Sequence, residues 1–280
     1  MKGAVKTALK VGRIRYINTL PFFHRLDGDN AAVNYYESYP SRVNLALRKG
    51  KIDAAPISSL EYLNHHDQYL LLPDLAIGAR DFSGSVILFS REKLEGLNGK
   101  TIALTRQSLS SSVLLQMLLK FKYKFENDFK LFTSGIEETL KRYPAALVIG
   151  DEALLYRPTE FVYKYDLSEL WWNWTEKPFC FAVWAVRRER AKANPEAVRQ
   201  FYWNLKENLG ENLQDIETLI KESLSLSFVD ADFSKIFGYL FNLHYGLDES
   251  MKEGLELFYR LAARLGFSPR LHELEFFDVG

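Results

Sequence analysis

Residues 100–121 read KTIALTRQSLSSSVLLQMLLKF, which is a short strand, a polar turn and a helix in succession. The run Lys100–Leu104 has the length and apolar character of a buried strand. From Ser110 to Phe121, apolar side chains recur with helical spacing, at Val113, Leu114, Met117, Leu118 and Phe121. A strand followed directly by a helix is the repeating unit of α/β proteins, so this stretch predicts an α/β fold.

The same alternation extends outward on both sides of residues 100–121. Further strands are predicted at Lys10–Ile14, Val33–Tyr36, Ile52–Ile57, Ser85–Ser90, Ala145–Ile149, Phe161–Tyr165 and Phe179–Val186. Helices are predicted between them, among others at Ser41–Lys49 and Ser58–Asn64. Alternating strands and helices predict sheets that are mostly parallel.

The last third of the chain is predicted to be helical. Asn194 followed by Pro195 is a typical helix start, and a long helix is expected from there to about Ser223. A second helix is predicted over Asp232–Asn242. A third begins at Asp248 and ends at Gly266, a residue suited to a helix C-terminus.

Two segments look like crossovers between lobes. The polar stretch Ser90–Gly99 contains two glycines, and a second crossover is expected near Trp174–Pro178. The chain would then form a discontinuous first lobe, residues 1–90 plus 179–280, and an inserted second lobe, residues 91–178. Two crossings make a hinge, and a cleft between lobes is a common place for a small ligand.

Composition and charge exclude several classes of protein. The chain has 280 residues, 47% of them hydrophobic, which excludes intrinsic disorder. Lys plus Arg and Asp plus Glu both number 36, so no basic excess indicates a nucleic-acid partner. The single cysteine, Cys180, excludes an internal disulfide. The oligomeric state is left open.

Targeting signals are not evident in the sequence. The longest apolar runs, such as Ser85–Phe89 and Ala145–Ile149, are far too short to cross a bilayer. Lysines stand at positions 2, 6 and 10 with no apolar stretch between them, unlike a secretory signal. We therefore expect no membrane span and a cytoplasmic protein.

Five polar clusters follow or open the predicted strands, namely Tyr16–Pro21, Pro56–Ser59, Ser83–Ser85, Thr105–Ser112 and Gly150–Glu152. Ligands of open α/β sheets bind beyond the carboxyl ends of the strands, and helix N-termini there attract anions. Hydroxyl groups from both lobes could grip a carboxylated ligand without an arginine.

Each cluster also has a simpler interpretation. Ser58-Ser59 and Ser110–Ser112 could be helix N-caps and nothing more, Asn18 could complete a turn, and Asp151 could be an N-cap. All five clusters together favour a ligand cleft. Metal-ligand spacings are missing from the sequence, so we expect no metal, and the sequence also has no glycine-rich loop that would bind a nucleotide phosphate.

The strand-end motifs resemble those of the chorismate dehydratase family of the futalosine route to menaquinone. The most specific match is Tyr16-Ile17-Asn18-Thr19-Leu20-Pro21. Further matches are Ile57–Tyr62, Gly84–Ser90, Ile102–Thr105 with Ser108 and Ser110-Ser111, Ile149–Asp151, and Pro178–Ala185. Arg15 and the pair Arg106-Gln107 depart from the pattern and could alter how a substrate carboxylate is held.

The resemblance implies an α/β, two-lobed, periplasmic-binding-protein-like type II fold with a helical C-terminal region. It implies a carbon–oxygen lyase that takes water from chorismate to give 3-[(1-carboxyvinyl)oxy]benzoate. Chorismate would be the only small-molecule partner, and no cofactor is implied.

Site residues follow from carrying the motifs over. Asn18 and Ser85 are expected to act in catalysis as positioning groups. The expected substrate-binding residues are Ser58, Ser59, Gly84, Thr105, Ser110, Ser111, Gly150 and Asp151. The proton acceptor stays open between Asp151 or Glu152 and the enolpyruvyl carboxylate of the substrate. The substrate carboxylate is favoured because the motifs hold no histidine or lysine beside the serines.

The sequence leaves two other functions open. One is the 1,4-dihydroxy-6-naphthoate synthase of the same route, an enzyme that acts on a different substrate. The other is a solute-binding protein without catalytic activity that takes up a carboxylated ligand, because one fold can carry both functions.

Overall fold

A computed structural model describes residues 8–26, 33–226, 232–268 and 271–280. Lys2 and Lys6, on which the expected location depends, lie outside these residues. The chain forms two compact units. The first unit comprises residues 1–76, 182–240 and 272–280, and the second unit comprises residues 77–181 and 241–271.

The described residues contain eleven strands. They are β1 (Leu9–Ile14), β2 (Val33–Ser38), β3 (Ala54–Ser58), β4 (Tyr69–Ala79), β5 (Val86–Ser90), β6 (Thr101–Leu104), β7 (Asp128–Leu131), β8 (Ala145–Ile149), β9 (Tyr163–Asp166), β10 (Phe179–Arg187) and β11 (Leu243–His244). Each of the eight predicted strands overlaps one of them, which confirms those predictions.

The same residues contain twelve α-helices. They are α1 (Leu20–Phe23), α2 (Pro40–Arg48), α3 (Ser59–His65), α4 (Leu109–Met117), α5 (Ile136–Arg142), α6 (Gly150–Leu155), α7 (Leu167–Thr175), α8 (Arg188–Ala193), α9 (Pro195–Gln214), α10 (Ile216–Leu226), α11 (Phe233–Asn242) and α12 (Glu249–Arg264). No helix in these parts of the chain is long and apolar enough to cross a membrane.

The first unit is built on a sheet with the strand order β4-β10-β3-β1-β2. Strand β1 pairs in parallel with β2 and β3, and β10 pairs antiparallel with β3. Trp184 on β10 is fully buried. Its ring lies 5.3 Å from Phe22, 5.7 Å from Phe23 and 5.9 Å from Phe201, centroid to centroid. These rings join α1 and α9 to the sheet.

The second unit is built on a sheet with the strand order β7-β6-β8-β5-β9. Strand β6 pairs in parallel with β7 and β8, whereas β5 pairs antiparallel with β8 and β9. Phe179 is fully buried, and its ring lies 5.0 Å from Phe258 on α12 and 5.5 Å from Trp171 on α7. These contacts hold α12 and α7 in the same core.

The boundaries of the two units differ from those of the predicted lobes. Residues 77–90, 179–181 and 241–271 belong to the second unit instead of the first. For residues 86–90 the reason is pairing, because β5 lies between β8 and β9 in the second sheet. The ligand cleft expected from the lobes stays a prediction.

The expectation of mostly parallel sheets is wrong. The sheets are mixed, because β5 and β10 run antiparallel to their neighbours. Antiparallel neighbours need no crossover helix between them. The alternation of strands and helices along the chain therefore does not reveal the direction of these two strands.

Two further features were missed in the sequence. Strand β4 contains Pro73 and Asp74, two residue types that are common in turns, so its sequence is typical of a turn. In the structure Asp74 has a positive φ of 56°. The helix predicted from Pro195 to about Ser223 is interrupted at Asp215. The Asp215 carboxylate accepts a hydrogen bond from the Thr218 N–H at 3.2 Å and starts a new helix there.

Gly254 on α12 is required by close packing. A Cβ at this position would overlap the backbone carbonyl oxygen of Pro178. We expect Gly254→Ala to lower the free energy of unfolding by about 1–3 kcal/mol. Chemical denaturation of purified protein measures this change.

Gly210 is the matched control, a glycine on α9 whose Cβ would meet no atom of the described residues within 4 Å beyond its own stretch of helix. Gly210→Ala should raise the free energy of unfolding by about 0.5–1 kcal/mol, because alanine restricts the unfolded chain more than glycine. Equal effects of the two substitutions would contradict the packing argument.

Candidate active site

Four strand ends of the second unit lie along one edge of its sheet. Strands β6, β8 and β9 run in one direction and end at this edge, whereas β5 runs in the opposite direction and begins there. The residues at or next to these ends are Thr105, Gly150, Ser85 and Asp166, in that order along the edge. The first three are predicted site residues, and the sheet places them on neighbouring strands.

The backbone around Ser85 is joined to Gly150. The Gly150 N–H donates to the Ser85 carbonyl oxygen at 2.8 Å. Gly84 and Gly150 have positive φ values of 72° and 67°, which glycine adopts without steric cost. The Ser85 side chain is buried, with 4% exposed. The Gly84–Ser85 turn and Gly150 are therefore joined through their backbones. The Gly150 N–H is used for this internal hydrogen bond.

The serines after β6 lie at the start of α4. Ser108 is the N-cap, because its Oγ accepts from the Ser111 N–H at 3.2 Å. The Ser108 and Ser111 hydroxyls are also 2.9 Å apart. Ser110 and Ser111 are buried inside the helix, and the Thr105 Oγ1 accepts from the Gln107 N–H at 3.1 Å. The capping role considered for Ser110 and Ser111 belongs to Ser108.

Asp151 and Glu152 are in the first turn of α6, whose N-cap is Ile149. The capping role considered for Asp151 is therefore not observed. Asp151 is half-buried. Glu152 is exposed as a residue, yet partial burial of its carboxyl group raises its pKa. A raised pKa is what a general base near neutral pH needs, so Glu152 keeps its place among the candidate proton acceptors.

In the first unit, Asn18 lies four residues after Ile14, the end of β1, on a 3₁₀ turn formed by Ile17–Thr19. The buried Thr19 hydroxyl fixes this turn by donating to the carbonyl oxygens of Ile14, at 2.6 Å, and Tyr16, at 2.9 Å. The Asn18 Oδ1 is shielded from solvent and has no hydrogen-bond partner among the described residues. An unpaired buried acceptor costs about 1–3 kcal/mol, so the Asn18 Oδ1 is a candidate acceptor for a hydrogen bond from a bound ligand.

Ser58 ends β3, which is the parallel neighbour of β1, so Asn18 and Ser58 follow adjacent strand ends. The Ser58 Oγ is the N-cap of α3 and accepts from the Glu61 N–H at 3.3 Å. Ser59 is fully buried in the first turn of that helix. The N-cap interpretation of Ser58 is confirmed, and its place at the same edge as Asn18 is compatible with ligand binding as well.

Asn44 on α2 is a residue that the sequence did not single out. Its Nδ2 donates to the Ser58 Oγ at 3.0 Å, and its Oδ1 accepts from the Ser58 N–H at 3.4 Å. Asn44 therefore sets the orientation of the Ser58 hydroxyl. In the sequence, Asn44 stands out only as a polar residue next to Val43, which is buried in the structure.

Of the two arginines that depart from the family pattern, Arg15 is paired. Its guanidinium forms an ion pair with the Glu37 carboxylate on β2 and is 77% exposed. Arg106 is an exposed residue in the turn after β6. Within the described ranges, no three His, Cys, Asp or Glu side chains are grouped so that they could hold a metal ion.

Solved structures with a similar fold show the fold class of this chain. A protein from Archaeoglobus fulgidus matches with a TM-score of 0.72 and 17% identity, over 92% of this chain and 98% of that one. The periplasmic aliphatic sulphonate-binding protein SsuA from Escherichia coli matches with a TM-score of 0.64 and 12% identity, over 97% and 94%. The fold is thus periplasmic-binding-protein-like, as predicted.

Sequence relatives define the family more closely. Residues 9–264 match the family described as menaquinone biosynthesis. A chorismate dehydratase from Thermus thermophilus is 32% identical over 282 residues, which cover 94% of this chain and 97% of that protein. The chain therefore belongs to this menaquinone biosynthesis family, which confirms the resemblance found in the sequence motifs.

Proposed function

We propose that this protein is a chorismate dehydratase, a hydro-lyase that converts chorismate to 3-[(1-carboxyvinyl)oxy]benzoate and water. The observation that carries the proposal is the 32% identity with the Thermus thermophilus chorismate dehydratase along nearly the full length of both chains. We further propose that the enzyme works without a cofactor and in the cytoplasm.

The dehydration needs two contributions from the protein, which are positioning of the substrate and stabilisation of the negative charge on the intermediate. A base takes the ring proton from the carbon that bears the ether oxygen, and the electron pair enters the diene conjugated to the ring carboxylate. The hydroxyl group then leaves as hydroxide, and the ring becomes aromatic. The proton and hydroxide together make the water that is lost. Fixed hydrogen-bond donors around the carboxylate stabilise the electron-rich intermediate.

The Asn18 Oδ1, which has no partner among the described residues, gives Asn18 a specific role in this scheme. An amide oxygen accepts hydrogen bonds, and the substrate group that can donate one is the leaving hydroxyl. Asn18 would orient this hydroxyl for elimination. The hydroxyls of Ser58 and Ser85 would donate to substrate carboxylates, and the hydroxyl groups at the start of α4 lie beside the ring carboxylate in this proposal.

The proton acceptor in this proposal is the enolpyruvyl carboxylate of the substrate. Ser85 holds this carboxylate, and Asn18 orients the leaving hydroxyl beside it. Glu152 is the protein group that would replace it, because partial burial of its carboxyl raises its pKa. Glu152→Gln separates the two. Substrate assistance predicts a kcat within about two-fold of the unaltered chain, whereas a general base predicts a loss of at least about 100-fold.

The direct test is to incubate the purified chain with chorismate and follow the products by liquid chromatography and mass spectrometry. The expected product is lighter than chorismate by one water and has a benzoate absorption spectrum. Chorismate that stays intact beside an active dehydratase control would overturn the proposal. If chorismate then still raised the melting temperature, the result would favour a binding protein without catalytic activity.

A further inference from the structure

Asp166 is a buried carboxylate at the same sheet edge as Ser85. It is the last residue of β9 and the N-cap of α7, and only 2% of it is exposed. Burial raises the pKa of its carboxyl group, and hydrogen bonds from Gly84, Ser83 and Ser168 act in the opposite direction. A carboxylate that is removed from water in this way needs many donors.

The two carboxylate oxygens of Asp166 serve different neighbours. Oδ1 caps α7, because it accepts from the N–H groups of Ser168 at 2.8 Å and Glu169 at 3.4 Å. Oδ2 accepts from the N–H groups of Ser83 at 3.1 Å and Gly84 at 2.6 Å. The Ser83 hydroxyl lies within 3.1 Å of both oxygens. Only Oδ2 binds the backbone N–H groups of the loop before β5.

The loop that Oδ2 holds leads directly into Ser85. Gly84 has a positive φ, so the chain turns sharply just before Ser85. Asp166 fixes the backbone on one side of Ser85, and the Gly150 N–H fixes its carbonyl oxygen on the other. Helix capping alone would use one oxygen of Asp166, so the contacts of Oδ2 point to a second role.

We infer that Asp166 is a positioning residue for Ser85, whose hydroxyl it presents at the sheet edge by holding the N–H groups of Ser83 and Gly84. This inference rests on the proposed function, in which the Ser85 hydroxyl donates to a substrate carboxylate. Asp166 itself touches no reacting atom in this scheme.

Asp166→Asn separates the two roles of the side chain. Asparagine caps helices as well as aspartate does, so its Oδ1 keeps the cap of α7. Its Nδ2 is a donor and cannot accept from Ser83 and Gly84. We expect kcat/KM for chorismate to fall about ten-fold or more, because a small displacement of a binding group is costly. Ser83→Ala, which leaves both backbone N–H groups bound to Asp166, should stay within about two-fold.

A double-mutant cycle with Ser85 gives a readout that a purely structural role would not change. If Asp166 acts through Ser85, the Asp166→Asn change should cost little further activity once Ser85 is replaced by alanine. Amide hydrogen exchange of the Ser83–Ser85 segment should also be faster in Asp166→Asn, whereas exchange in α7 should be unchanged.

The outcomes separate this inference from the proposed function. Absence of chorismate turnover by the unaltered chain overturns the proposed function and, with it, a role for Asp166 in that reaction. If turnover is normal but the Asp166→Asn and Ser85→Ala effects multiply independently, the positioning role alone is overturned. An unchanged kcat/KM in Asp166→Asn would also overturn the positioning role alone.

Discussion

Asn18→Ala should dehydrate chorismate with a kcat at least about 100-fold below that of the unaltered chain, because the group that orients the leaving hydroxyl is lost and misplacement of reacting groups is costly. The Asn18 Oδ1 is buried and unpaired among the described residues, so the folded chain bears the cost of desolvating it without compensation there. The leaving hydroxyl of chorismate can supply the missing donor. Steady-state kinetics of the purified variant measure the loss.

Stability distinguishes this role from a structural one. Removing an unpaired polar group should leave the melting temperature unchanged or slightly raised, because no hydrogen bond to another described residue is broken at Oδ1. Asn64 on α3 is the matched control, since its Oδ1 is also buried and unpaired within the described part of the chain. Asn64→Ala should keep kcat within about two-fold. Similar losses of kcat in both variants would contradict the role of Asn18.

Ser85→Ala should lower kcat/KM by about 10- to 150-fold, since a hydrogen bond to a charged group contributes about 1.5–3 kcal/mol. Ser85 lies at the edge where β5 begins, and its backbone carbonyl is held by the Gly150 N–H. In the proposed function it holds the substrate carboxylate that accepts the proton, so the loss should appear in kcat as well as in KM. Initial rates over a range of chorismate concentrations separate KM from kcat.

Ser90 is the control for this substitution, because it ends the same strand at the opposite edge of the sheet. It is fully buried, and its hydroxyl donates to the Glu92 carbonyl oxygen at 2.7 Å. Ser90→Ala should lower stability and leave kcat/KM within about two-fold. An unchanged kcat/KM in Ser85→Ala would show that the Ser85 hydroxyl does not act on the substrate.

Short apolar strands and amphipathic helices were predictable, because their periodicity is a local property of the sequence. Strand β8 was placed at Ala145–Ile149 with both ends correct. Strand β4 was missed since Pro73 and Asp74 interrupt it, and the direction of β5 could not be read from its residues. Strand direction depends on which neighbours pair, and that is decided by packing over the whole chain.

The residues of the candidate site also divide into those that the sequence predicted and those that only the structure revealed. Asn18, Ser58 and Ser85 were found because polar residues directly after or before a buried strand are conspicuous in a sequence. Asn44 and Asp166 were not found, because each acts on a residue far away in the chain, 14 and 82 or 83 positions distant. The pair Asp166 and Glu169 could indicate a helix start, but nothing local indicates that the carboxylate also binds Ser83 and Gly84.

The amino-acid sequence was therefore enough to specify the α/β class, the polar strand ends and the family, since each depends on residue type and spacing along the chain. The tertiary structure was needed for the mixed sheets, for the shared edge that brings Gly84, Ser85 and Gly150 together, and for the Asn18 acceptor that no described residue pairs with. The physical reason is that hydrogen-bond partners and burial are set by folding, which joins groups that are distant in the chain.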